Sequence, residues 1–151
     1  MGENAYNDQA PGLNGAGPIE AAVVDAIKAK NVNTEWGIKN QLTLALEIGR
    51  KNDNGYNLIL RRTYTDSLHE KSALRADLER WFDRSLTAEE LQNGINWPKL
   101  VGTPCRVEVT DAISSTGNAY LKVVKILPPG ETIFKPSGFY RRWEPKNGGV
   151  K

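Results

Sequence analysis

Two stretches of the 151-residue chain set cations beside aromatic rings: "YNLILRRTY", with Arg61, Arg62 and Tyr64, and "FKPSGFYRRW", where Phe134, Phe139, Tyr140 and Trp143 alternate with Lys135, Arg141 and Arg142. Cations neutralise phosphates and rings stack on bases, which together suit a single-stranded nucleic acid read without regard to sequence. The same composition also anchors protein interfaces, where arginine and aromatic residues are enriched. For the tail the options are therefore nucleic acid, self-association, or packing on its own domain.

The charges in the first stretch depend on a strand to sort them. "GIKNQLTLALEIG" alternates, with Ile38, Leu42, Leu44, Leu46 and Ile48 on an apolar face and Lys39, Gln41, Thr43 and Glu47 on a wet one. "YNLILRRTY" alternates again, placing Tyr56, Leu58, Leu60, Arg62 and Tyr64 opposite Asn57, Ile59, Arg61 and Thr63. Between them Asn54-Gly55 suits a tight reversal with positive φ, so a hairpin is expected. Arg61 then shares a polar surface with Lys39, Gln41, Asn57 and Thr63, whereas Arg62 must snorkel to water or to a helix carboxylate. That surface fits a phosphate backbone, and it equally fits any solvated sheet face.

The remaining elements follow from period and punctuation. "PIEAAVVDAIKAKNV" reads as a first strand, with a turn at Asn31 to Thr34. "SLHE" offers a capping box at Ser67 and Glu70 for a helix whose stripe is Leu74, Leu78, Trp81 and Phe82, with Arg75, Asp77, Glu79 and Arg80 on the wet side. Thr87 and Glu90 form a second box, closed by Asn93-Gly94. "TPCRVEVTD" and "AYLKVVKILPP" are two further strands around the loop "AISSTGN", the last stopped by Pro128 and Pro129. In the fifth strand Leu121 and Val123 point inward, so Tyr120 and Lys122 either line a groove or, for Tyr120, join the core. Trp36, in the turn before the second strand, either stacks on a base or folds over the end of the barrel.

Five strands with a helix between the third and fourth is the element order of the OB-fold, a five-stranded all-β Greek-key barrel that binds oligonucleotides across its second and third strands. The expected organisation is a flexible lead over residues 1–17, the barrel over 18–129, and a basic, aromatic tail over 130–151. The motifs "NLILRRTYTDSLHEKSALRADLERW", "LTAEELQNGINWPKLVGTPCRVEV" and "AYLKVVKILPPG" also resemble a family of small bacteriophage and prophage proteins, encoded near replication or recombination genes. The resemblance spans about Ala21 to Pro129. It implies an OB-fold protein that binds single-stranded DNA.

Composition bounds the alternatives. A net charge of +2 is too small to imply a nucleic-acid partner, so the argument rests on where the charges sit. One cysteine, Cys105, and one histidine, His69, exclude a disulfide framework and a zinc cluster of the Cys/His kind. Cys105 is read as core and His69 as local structure at the helix start. With no run of about 18 apolar residues and no signal-peptide pattern, a cytoplasmic protein of the bacterial host is expected. The expected binding set is Trp36, Lys39, Gln41, Asn57, Arg61, Thr63, Tyr120, Lys122, Tyr140, Arg141 and Arg142, with no catalytic residue, metal or cofactor. The alternative is a protein-interaction module that recruits replication or recombination partners, and a homo-oligomer is compatible with either.

Overall fold

The computed structural model describes residues 17–142. Its frame is one antiparallel sheet of five strands in the order β3-β2-β1-β4-β5. The strands are β1 (Ile19–Thr34), β2 (Gly37–Lys51), β3 (Asn57–Thr65), β4 (Pro104–Ile113) and β5 (Ala119–Leu127). Between β3 and β4 lie the helices α1 (Ala73–Phe82), α2 (Ala88–Asn93) and α3 (Trp97–Leu100). The apolar faces foreseen from alternation pack into one core, with Leu42, Leu44, Leu46 and Ile48 of β2 against Leu74, Leu78 and Trp81 of α1, and Cys105, Val107, Leu121, Val123 and Ile126 of β4 and β5. Burial pushes the Cys105 thiol up to about 12, so it behaves as an inert core residue.

The sheet is not a closed barrel. No ladder joins β3 to β5 among the described residues. Where a strand N–H would close the gap, the Arg62 guanidinium stands instead and donates from Nη1 to the Val123 carbonyl at 2.8 Å. A long charged side chain of β3 thus bridges the two edges where no backbone ladder does.

Several local expectations change. Asn31 does not begin the turn: with φ 57 it sits in an irregularity between Ala29 and Val32, and β1 runs on to Thr34. The reversal falls at Glu35–Trp36, where the Thr34 hydroxyl oxygen accepts from the Trp36 amide at 3.1 Å. The β1–β2 hairpin therefore outruns the core, and Ile38, though on the apolar side of β2, is 66% exposed. Tyr56 likewise leaves the core set, exposed just before β3 and packed at a tilt against Phe139 with ring centroids 5.3 Å apart.

The cap of α1 is Ser72, not Ser67: its hydroxyl accepts from the Arg75 amide at 3.1 Å. Ser67 instead supports the corner ahead of the helix, its carbonyl taking the Ser72 hydroxyl at 2.7 Å and its own hydroxyl taking the His69 amide at 3.1 Å. His69 accepts from the Lys71 amide at 3.2 Å within the same corner. The Asn54-Gly55 turn and the loop before β5 form as expected, Gly55 at φ 87 and Gly117 at φ 89 using backbone that a Cβ disfavours.

The capping box of α2 also forms, Thr87 accepting from the Glu90 amide and Glu90 from the Thr87 amide. The Arg84 guanidinium grips the same Glu90 in a two-pronged ion pair at 2.9 and 3.0 Å. Together they pull the Glu90 carboxyl down from 4.5 to about 2, the Arg84 bonds contributing most. A depressed folded-state pKa means the stabilisation is fully present above about 4.5 and is lost as pH falls towards 2. Both side chains are partly wet, so solvent screening limits the contribution to under about 1 kcal/mol. Glu90→Gln is expected to lower stability by that amount at pH 7 and to match the parent near pH 2, read by urea denaturation at both pH values.

Candidate nucleic-acid interface

The open edge creates the site. Between β3 and β5 lies a groove of about 850 Å³ lined by Arg61, Arg62 and Thr63 from one side and Tyr120, Leu121 and Lys122 from the other, with Lys51, Asn52 and Asp53 of the β2–β3 connection also lining it. Alternation sorts these side chains as foreseen. On β5, Leu121 and Val123 are buried while Tyr120 and Lys122 are exposed. On β3, Tyr64 is buried and Arg61 and Thr63 are exposed.

Arg62 is structural. Its Nε donates to Asp77 Oδ2 at 2.9 Å, which is the helix carboxylate its position called for, and its guanidinium lies 4.9 Å from the centre of the Tyr64 ring. Asp77 was expected on the wet side of α1 and is buried instead, because strand donors reach it there. Its carboxylate also accepts from the Tyr64 hydroxyl at 2.7 Å, from the Ile126 amide at 3.4 Å and from Arg80. Burial and the Asp77 charge push the Tyr64 phenol well above its ordinary value, so it remains a donor.

Outside the core, the strand register lays the outer face of the sheet out in rows. Thr43 stands beside Thr63, their hydroxyls 2.8 Å apart, and Gln41 stands beside Thr65. Lys39 continues this line onto the projecting hairpin opposite Val32, and Trp36 at its tip is 78% exposed. Trp36 therefore does not fold over the end of the sheet. The structure brings Gln41, Thr43, Thr63 and Arg61 onto one continuous surface that leads into the groove beside Tyr120 and Lys122. Asn57 is drawn away from it, its amide donating to Glu47 Oε2 at 2.7 Å and its oxygen accepting from Lys51 at 3.1 Å.

Of the three options open for the tail, its described residues take packing on their own domain. Tyr140 and Arg142 fold back onto the domain's own sheet and meet Asp25: the Tyr140 hydroxyl donates at 2.9 Å, and Arg142 donates from Nε at 2.8 Å and from Nη2 at 2.5 Å. The Arg142 hydrogen bonds hold the Asp25 carboxyl below its usual range against the opposing pull of burial, and the Tyr140 bond adds to the lowering. Glu47, expected on the wet face of β2, is fully buried, and its Oε2 accepts from the Ser137 amide at 2.9 Å. Arg141 is exposed and bonds back to the Gly138 and Tyr140 carbonyls. Trp143 lies outside the described residues.

Sequence reasoning missed Asp25 and Glu47 as parts of this surface, and Lys51 and Asp53 as parts of the groove. Lys51 and Asp53 carried a signal in flanking the Asn54-Gly55 turn, since that connection borders the third strand; Asp25 and Glu47 carried none that pointed to the tail. Among the described residues no group of three or more His, Cys, Asp and Glu side chains is placed to hold a metal ion, and no helix is long and apolar enough to cross a membrane. The sequence matches no protein-family model and no curated protein.

Proposed function

We propose that the protein binds single-stranded DNA, without strong sequence preference and without catalysing a reaction on it. The observation that carries this reading is the groove between β3 and β5, where Arg61 and Thr63 face Tyr120 and Lys122 at the end of a polar path leading back to Lys39 and Trp36. Cations along such a path neutralise phosphates, while Tyr120 and Trp36 offer rings to bases. The strand order and the helices between β3 and β4 support an OB-type sheet left open at one seam. The likeness of the "SLHEKSALR" region to phage proteins supports a role in phage DNA replication or recombination inside the bacterial host.

Titrating the protein with oligo-dT at several salt concentrations tests the proposal. Tryptophan fluorescence is expected to quench, and log affinity to fall linearly with log salt by about 0.7 per phosphate neutralised. Lys122→Ala is expected to reduce that slope by about the same amount. Absence of salt-sensitive binding at low salt would sink the reading.

A second reading, a module that recruits replication or recombination proteins or a second copy of itself, draws on the exposed apolar residues Trp36, Ile38 and Ile113 at the ends of the two long hairpins. Oligo-dT that fails to bind while Trp36→Ala abolishes self-association in sedimentation would favour it.

A further inference from the structure

The C-terminal segment covers part of the surface that the nucleic-acid reading needs. In one row across the sheet stand Asp25, Ala45 and Arg61, and in the next Ala22, Glu47 and Ile59. Ala22, Ala45 and Glu47 point away from the core, yet each has no exposed surface. Residues 134–142 supply the cover. Phe134 lies against Gly49, whose missing Cβ would sit 3.6 Å from its ring; Ser137 bonds to Glu47, Phe139 packs at a tilt against Tyr56, and Tyr140 and Arg142 bond to Asp25. Tyr140 also lies close enough to Arg61 for the arginine to oppose the rise in its phenol pKa that burial and Asp25 impose.

The way this strap is held sets it apart from the rest of the sheet. Among the described residues no backbone-to-backbone hydrogen bond ties residues 128–142 to a strand. Side chains do the holding, and the main anchor is a carboxylate taken by an arginine through two nitrogens. Arginine makes the same two-pronged contact with a phosphodiester. Docking also leaves Glu47 Oε1 buried with no hydrogen-bond partner, a cost that release into water removes. A segment attached in this way lacks the backbone ladder that couples each strand to the core.

We infer that residues 134–142 are an intramolecular competitor of the nucleic acid. Asp25 occupies the place of a phosphate in the grip of Arg142, and an incoming strand displaces the segment, uncovering the Asp25–Ala45–Arg61 row and freeing Tyr140, Arg141 and Arg142 to engage the strand themselves. This rests on the single-stranded DNA reading.

The test uses the full chain, oligo-dT, and two variants. Tyr140→Phe removes the hydroxyl bond to Asp25 with no change of charge and keeps a ring for stacking; Asp25→Asn weakens the Arg142 anchor. Both are expected to bind oligo-dT several-fold more tightly than the parent. Hydrogen exchange at the Ser137 amide, slow in the free parent, is expected to accelerate when oligo-dT saturates the protein, and to be fast in Asp25→Asn without DNA. Binding with unchanged or slower Ser137 exchange, or with unchanged or weaker affinity in Tyr140→Phe, overturns the competition and leaves the DNA reading standing. Absence of any oligo-dT binding overturns both.

Discussion

Replacing Asp77 by alanine is expected to destabilise the fold by about 3–5 kcal/mol, the usual cost of removing one partner of a buried ion pair. The carboxylate is 3% exposed and is shared by Arg62, Tyr64, Arg80 and the Ile126 amide. Without it the Arg62 guanidinium keeps the Val123 carbonyl but loses its counter-charge, and the buried Tyr64 hydroxyl loses its acceptor. For a chain of this length that loss lowers the melting temperature by on the order of 10 °C. Asp77→Asn retains shape and an acceptor and is expected to fall between alanine and the parent.

A cycle separates charge from packing. In an Arg62→Met background the same Asp77→Ala change costs less, since no buried cation is left uncompensated. Thermal and urea denaturation of the four proteins give the coupling. A loss below about 1 kcal/mol for Asp77→Ala would show that the network does not hold β3, α1 and β5 together.

Trp36→Ala is expected to weaken oligo-dT binding by about 1–3 kcal/mol, which is roughly 5- to 150-fold, while leaving the melting temperature nearly unchanged. The two halves of that expectation have separate grounds. A stacked base loses its platform when the indole goes, whereas a side chain that is 78% exposed contributes little to the core. Trp81 and Trp97 are 4% and 7% exposed and remain as internal fluorophores for the stability measurement. Trp36→Phe, which keeps a smaller ring, is expected to recover part of the affinity. Full affinity in Trp36→Ala would remove the hairpin tip from the binding path and leave the groove to act alone.

The strand pleat separates the roles of neighbouring positions. Arg61 and Arg62 are adjacent in the chain, but the pleat sends Arg61 to the outer surface and Arg62 to the buried Asp77. Alternation alone made that distinction legible, along with the outward placement of Tyr120 and Lys122 and the burial of Leu121 and Val123. The same pattern misled at Ile38 and Tyr56. Alternation reports the side of a strand and is silent on whether the core extends that far along it.

Asp77 and Glu47 show the complementary failure. Each occupies a position that local periodicity assigns to water, and each is buried because a distant segment brings donors to it: Arg62 and Tyr64 to the first, Asn57 and the Ser137 amide to the second. A polar residue on an outer face signals solvent when nothing packs there. It signals a partner when something does, and the partner has no fixed offset in the chain.

The amino-acid sequence by itself determined the five strands, the stripe of α1, the Asn54-Gly55 turn, the cap at Thr87 and the side of β3 on which Arg61 lies, since each follows from period and backbone chemistry within a few residues. Tertiary structure decided the rest. The register of β1 and β2 shifts between Val23 and Asp25, and this extra residue turns Asp25 from the inner to the outer face. Only there can it meet Tyr140 and Arg142, which are 115 and 117 positions away. Arg62 likewise bridges the seam between β3 and β5 by bonding a carbonyl 61 residues distant. The groove and its cover both depend on such contacts between segments far apart in sequence, where local period carries no information.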